Sequence, residues 1–204
     1  MIEDFLAVFI PLLIIVNPSS TLALFSILTR KFSKDHRNKT ARNAVTYAAV
    51  LLIIFALGGS AILSYLGISI PALRIAGGIL LATVGLDMLR RGEQFGETPP
   101  DKKQQVTDIA LVPLALPSLS GPGAITVTIV SVQTFHWSLV ILAIFVTMII
   151  SYAVFMGSVL ITKLMGKRGM DALTRVMGLL TVAIAVQFAL TGIGNWIATL
   201  NLSL

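Results

Sequence analysis

Two short stretches carry the residues that could bind something. One is Asn17-Pro-Ser-Ser20; the other is Pro113-Leu-Ala-Leu-Pro-Ser-Leu-Ser-Gly-Pro-Gly123. Both lie in apolar runs, and the run from 109 to 162 holds no Asp, Glu, Lys or Arg. Proline lacks an N–H and glycine is a poor helix former, so both stretches break a helix. Asn17 is a good N-cap and Pro18 a favoured first helical residue, so one helix stops near Ile15 and another begins at Pro18. In the second stretch Ser118 to Gly121 is unwound and Pro122 restarts the helix. Each restart turns unpaired N–H groups and the positive end of a helix dipole, about half an elementary charge, toward the gap. Such ends suit a carboxylate. Free carbonyls of the preceding half-helices suit an ammonium group or a bare cation. Together these partners describe one small zwitterion, and small lining residues leave little room for a large side chain. The candidate binding residues are Asn17, Pro18, Ser19, Ser20, Ser118, Leu119, Ser120, Gly121 and Gly123, with Gln187 from the middle of the last apolar run. The glycines at 121 and 123 allow a ligand to approach the backbone, and Gly123→Val is expected to fill the pocket and spare the fold.

Each of these features has a plainer reading. Pro11 and Pro113 read best as structural kinks. The two breaks stand apart because they repeat: the same depth and the same x-Pro restart. A polar residue at the depth of Gln187 faces protein or a cavity, and an interhelical hydrogen bond explains it as well as a site does. Thr83 and Thr181 read as bonding their own helices, Asp87 as pairing with Arg90 and Arg91, and Arg74 and Arg175 as interfacial anchors. Gly78-x-x-x-Ala82 reads as a close contact within the molecule. His36 and His136 fall in expected loops, with no metal-ligand spacing around them.

The elements that must position these residues are membrane spans. Of 204 residues, 56% are apolar and 12% charged, against about 25% charged in soluble domains; mean hydropathy is +0.92. A span needs about 20 apolar residues. Six segments qualify, approximately 5–29, 43–65, 71–89, 109–133, 138–162 and 176–200. At about 1.5 Å per residue both breaks fall near the midplane. All basic residues except Arg74 lie in the loops after the first, third and fifth spans. The positive-inside rule places those loops in the cytoplasm and both termini outside. The charge of +6 is thereby explained without nucleic acid, for which no basic face interleaved with aromatics exists. Cysteine is absent, which excludes disulfides and thiolate chemistry. Glu3 and Asp4 sit where a signal peptide carries positive charge, so no cleaved leader is expected. Trp137 reads as an interfacial anchor in a tight external turn.

The two halves resemble each other. Leu73-Arg-Ile-Ala-Gly-Gly aligns with Leu173-Thr-Arg-Val-Met-Gly once one residue is skipped, so that Arg74 matches Arg175, Gly77 matches Gly178 and Ala82 matches Ala183. Leu66-Gly67 and Met165-Gly166 precede these, and Ile10-Pro-Leu12 matches Val112-Pro-Leu114. Three spans per half make the second half enter the membrane from the opposite side. The expected fold is therefore an all-α membrane protein: six transmembrane helices in two inverted three-helix repeats, the first and fourth helices broken near the midplane. The first repeat is 1–92, a polar cytoplasmic linker with Thr98-Pro-Pro-Asp101 is 93–107, and the second repeat is 108–204.

Asn17-Pro-Ser-Ser-Thr-Leu-Ala-Leu-Phe25, Gly67-Ile-Ser-Ile-Pro-Ala-Leu-Arg-Ile-Ala-Gly-Gly78, the fourth-span stretch Pro113 to Ile125 and Arg175-Val-Met-Gly-Leu-Leu180 with Gln187-Phe188 resemble the MarC family of multi-pass membrane proteins, over essentially the whole chain. The resemblance implies a prokaryotic cytoplasmic (inner) membrane. The family includes transporters of small neutral amino acids such as glycine and alanine, and amino-acid exporters. Many members read Asp-Pro-x-Gly at the first break, where this chain has Asn17-Pro-Ser-Ser20, so no ionisable group carries over to that position.

The function expected is secondary transport, in the export or import direction, of a small neutral amino acid by alternating access. The partners are that substrate and the lipid bilayer, with oligomeric state left open. No nucleotide motif supports direct ATP drive. A channel-like permease for another small solute or ion is the alternative, though rings of carboxylates are absent. An intramembrane enzyme needs acid, base or metal ligands at depth, and no Asp, Glu, His or Lys lies well inside a span. No cofactor is expected. Sodium, held by carbonyl and hydroxyl oxygens, suits the breaks better than a proton, which has no carboxylate to ride on.

Overall fold

A computed structural model describes residues 2–91 and 109–201. The expected linker at 93–107 lies outside the described residues. Among these the chain is all helix. In order the elements are α1 (Ile2–Val16), α2 (Pro18–Leu28), α3 (Lys34–Tyr65), α4 (Ile70–Arg91), α5 (Ala110–Leu119), α6 (Pro122–Thr134), α7 (Trp137–Met156) and α8 (Ser158–Asn201). Five helices, taking α1 with α2 as one, are long and apolar enough to span a membrane. The α5–α6 pair, bent by 56°, makes a sixth.

The broken spans supply much of the core. Leu12 and Val16 of α1, Leu22 and Phe25 of α2, Leu114 and Leu119 of α5 are all buried. So is nearly the whole of α6 from Thr126 to Ser131. Phe25 stacks on Phe155 of α7 at 4.7 Å between ring centroids. The packing partners exchange between halves: α1 lies on α7 and α5 on α3; α4 lies on α6 and α2 on α8; α3 lies on α6 and α2 on α7. The most extensive pairing joins α4 to α8.

In lipid there is no hydrophobic drive between helices, so they associate through small residues that let backbones approach. The α4–α8 seam is built this way. A methyl built on Gly78 would lie 2.7 Å from Ala185 O, and one on Gly85 would lie 2.9 Å from Gly178 O. Gly192 stands against Pro71 O and Arg74, and Arg175 donates to Leu89 O at 2.7 Å. These contacts run the two helices antiparallel. The Gly78 contact is intramolecular, as the sequence suggests.

The span boundaries need three corrections. The helix expected from 43 begins at Lys34, capped by Ser33, whose Oγ accepts from His36 N. Its polar first turns contain good helix formers, Lys and Arg among them. At about 1.5 Å per residue α3 is ~48 Å long, against a hydrocarbon core of about 30 Å, so its basic end projects. His36 therefore sits in a helix. Across the bundle, Arg37 donates to Ser158 Oγ and lies 5.4 Å from the centre of the Phe25 ring. The fifth span stops at Met156, and the basic stretch expected as a loop is part of α8, kinked at Gly166 with φ +61. Gly67, after α3, has φ +68. There Ile68 N donates to Leu63 O and Gly67 N to Ser64 O, a Schellman cap that places glycine where φ is positive. The third correction falls in the fourth span and belongs to the site.

Candidate functional site

The first break is one residue long. Asn17 takes φ 45 and ψ 70, the left-handed region that Asn tolerates better than other residues with a Cβ. Its N–H donates to Leu13 O at 3.0 Å and closes α1. Its side-chain Oδ1 accepts from Ser19 Oγ at 2.6 Å and from Ser20 N at 3.4 Å, which caps α2. One residue thus ends one helix and starts the next, and Pro18 follows as first residue of α2. Asn17 is buried, and its Nδ2 has no hydrogen-bond partner among the described residues. Leaving a buried donor open costs about 1–3 kcal/mol.

The second break is wider and begins earlier than Ser118. Val112 (φ −129, ψ 121) and Leu116 (φ −119, ψ 126) are extended, each preceding a proline, which disfavours helical backbone in the residue before it. The peptides Val112–Pro113 and Leu116–Pro117 are cis. The turns between are wide: Ser120 N donates to Ala115 O, five residues back, at 2.9 Å. Ser120 Oγ donates to the same carbonyl at 2.8 Å. Gly121 is extended and its carbonyl accepts from Ile125 N at 3.0 Å, opening α6 with Pro122 first.

The two breaks meet. A methyl built on Gly123 would sit 3.2 Å from Ile15 Cγ2 and 2.4 Å from Leu81 Cδ2. Beside this contact is a cavity of about 100 Å³, whose walls include Ile15, Leu81, Ser118, Gly121, Thr83 and Thr181. Of the expected residues, Ser118, Gly121 and Gly123 line it. Asn17, Ser19 and Ser20 form the cap of α2 and are not among the wall residues. Pro18, Leu119 and Ser120 are buried around the breaks, Ser120 with its hydroxyl committed to Ala115.

Gln187 is placed differently. It is exposed on α8 and donates to Thr191 Oγ1 at 3.2 Å on its own helix; it is not part of the cavity wall. Depth along a span does not fix the face a residue occupies. Gly123 is also more than an open wall, since the helix contact at Leu81 leaves no space for a branched side chain; Gly123→Val would disturb packing as well as fill the pocket. Thr83 and Thr181 bond Leu80 O and Met177 O of their own helices, as expected, and nonetheless face the cavity. For Thr181 a signal exists in the repeat alignment: with Arg74 on Arg175, Leu80 falls on Thr181, and both are wall residues; Thr83 falls on Ile184, which is not.

A bundle of apolar helices long enough to span a bilayer, two of its spans interrupted, defines an integral multi-pass membrane protein. The comparisons agree on the family. Residues 2–197 match the model of the MarC family integral membrane protein, and the chain belongs to that family. It is 38% identical over 201 residues to a UPF0056 membrane protein of Methanocaldococcus jannaschii, covering 94% of this chain and 97% of that one. It is 35% identical to the UPF0056 inner membrane protein MarC of Escherichia coli, covering 92% and 93%. A UPF0056 membrane protein of Archaeoglobus fulgidus is 34% identical, covering 97% and 96%. No solved structure matches the chain.

Proposed function

We propose that this protein is a secondary transporter of small neutral amino acids, glycine and alanine foremost, in the cytoplasmic (inner) membrane. The observation that carries the reading is the contact of Ile15, just before the first break, with Gly123, just after the second, beside a small cavity lined by Ser118, Gly121 and Pro122, together with the buried, unpartnered Nδ2 of Asn17 at the start of α2. Helix N-termini favour an anion and Nδ2 needs an acceptor; a substrate carboxylate satisfies both. The apolar part of the wall, Ile15, Leu81 and Ala124, suits hydrogen or methyl as the side chain and excludes leucine and phenylalanine by size. The binding set is Asn17, Ser19, Ser20, Ser118, Gly121 and Gly123, framed by Pro18, Leu119 and Ser120.

Alternating access follows from reading 1–92 and 108–204 as inverted repeats joined by 93–107, with both termini outside. Three observations support that reading: packing partners that exchange between halves, an antiparallel α4–α8 seam, and positive φ at both Gly67 and Gly166. The name of the Escherichia coli relative, an inner membrane protein, supports the location. No carboxylate or histidine lines the cavity among the described residues, which favours sodium coupling or simple exchange over a protein-borne proton, and a carrier over an enzyme.

The deciding experiment is uptake of labelled glycine, alanine and leucine into proteoliposomes under imposed sodium or proton gradients. Saturable uptake of glycine and alanine with leucine excluded is expected. Uptake that never saturates and does not discriminate by side-chain size would favour the channel-like alternative.

A further inference from the structure

A second concave surface lies far from the breaks, on the outer side of the α3–α7 pair. One face of α3 carries Val45, Ala49 and Ile53, and one face of α7 carries Phe145, Ile149 and Tyr152. The first set recurs every four residues and the second at four and then three, so each forms a continuous stripe. Between them runs an apolar groove of about 450 Å³. From Arg42 to Ile53 it extends about 17 Å at 1.5 Å per residue. That is close to one leaflet, half of a hydrocarbon core of about 30 Å.

The groove ends in a polar hollow of about 190 Å³, which shares Arg42 and Tyr152 with it and adds Asp35, Asn38 and Lys39. Two cations against one carboxylate leave the hollow net positive. Lys39 and Arg42 are exposed, and neither has a hydrogen-bond or ion-pair partner among the described residues. The Tyr152 ring lies at the junction of the apolar and polar parts, where an amphipathic side chain meets a membrane interface.

We propose that this surface binds one phospholipid with an anionic headgroup. An acyl chain lies in the α3–α7 groove, and the phosphate sits between Arg42 and Lys39 within reach of the Tyr152 hydroxyl. Three features select this occupant over a protein helix: a length of one leaflet, an apolar floor open toward the lipid side, and positive charge confined to one end. The inference is independent of the transport reading and neither supports nor requires it.

Native mass spectrometry of the full chain, released from micelles containing equal dioleoylphosphatidylglycerol and dioleoylphosphatidylcholine, tests it. One tightly retained phosphatidylglycerol per chain is expected. Removing one cation near the surface is expected to weaken retention about fivefold, so Arg42→Gln with Lys39→Gln abolishes the preference. Ala49→Trp, which fills the groove and leaves both cations, should displace the lipid as well. Unfolding temperatures in lipid-free detergent identify any variant that fails to fold, and the exposed Arg42 and Lys39 positions keep the test independent of Ala49. Equal retention of the two lipids overturns the proposal, as does a preference that survives the double substitution. Displacement of the lipid by glycerol phosphate alone also overturns it, since the hollow would then be a phosphate site without need of the groove.

Discussion

Ile15 rests on Gly123: its Cγ2 lies 3.2 Å from the point a Cβ on Gly123 would occupy. Ile15 stands two residues before the first break and Gly123 two residues after Gly121 in the second. Positions more than a hundred residues apart in sequence thus bring the two interruptions to one place. The absence of a side chain at Gly123 is what permits it.

Gly123→Val should abolish alanine uptake and lower stability by about 1–3 kcal/mol through overpacking against Leu81 and Ile15. Gly123→Ala combined with Leu81→Ala should recover folding, because the crowding atom is Leu81 Cδ2 at 2.4 Å. Thermal unfolding in detergent and uptake in proteoliposomes check both. If Gly123→Val moves alanine at the wild-type rate, the substrate site lies elsewhere.

Asn17→Ala should cost about 1–2 kcal/mol, since it removes the α2 cap and puts alanine in a left-handed conformation. Asn17→Asp keeps the acceptor for Ser19 and Ser20 but replaces Nδ2 by an oxygen that donates only when protonated. The Asp side chain therefore offers no donor to a substrate carboxylate while the α2 cap is kept. Alanine uptake by Asn17→Asp should fall well below the parent's while its unfolding midpoint stays close to the parent's. Uptake by Asn17→Asp at the parent's rate would contradict the assignment of Nδ2 to the substrate.

Two glycine-to-alanine substitutions should have opposite effects. Gly58, within α3, has nothing within 4 Å of a built Cβ, whereas Gly85 has Gly178 O at 2.9 Å. Gly58→Ala should stabilise by about 0.4–1 kcal/mol by reducing unfolded-state freedom. Gly85→Ala should destabilise by separating α4 from α8. Midpoints of thermal unfolding decide, and equal shifts would count against the seam.

Orientation is open to labelling. The exposed positions Ser33 and Ser69 flank α3. With both termini outside, Ser69→Cys should react with an impermeant maleimide in sealed cells and Ser33→Cys only after permeabilisation. The reverse pattern would invert the topology.

The sequence made legible what short-range chemistry decides. Asn-Pro is a local cap signal, and α2 starts at Pro18 as read. Pro122 likewise opens α6 as its first residue, although Gly121 before it supplies no side-chain cap. The wide turns of α5 were not legible, because they depend on how two Xaa-Pro pairs and Ala115 O share one path through the bundle. Nor was the extent of α3, where charged residues fit a helix whether or not they fit a membrane. Gln187 shows a third limit: an apolar run reports depth, while the side a residue faces is settled by neighbouring helices.

The α4–α8 seam carries a mechanical consequence. Its glycines admit both backbone and side chains: Gly78 meets Ala185 O, while Val182, Met88 and Ile75 lie against Gly85, Gly178 and Gly192. Large interdigitated side chains lock helices in register, since each must climb out of its socket before the pair can shift. In this seam the sockets are the glycines and the teeth are Val182, Met88 and Ile75. The most extensive helix pairing among the described residues is thus keyed, and a side chain at any of these glycines would force the whole pair out of its register.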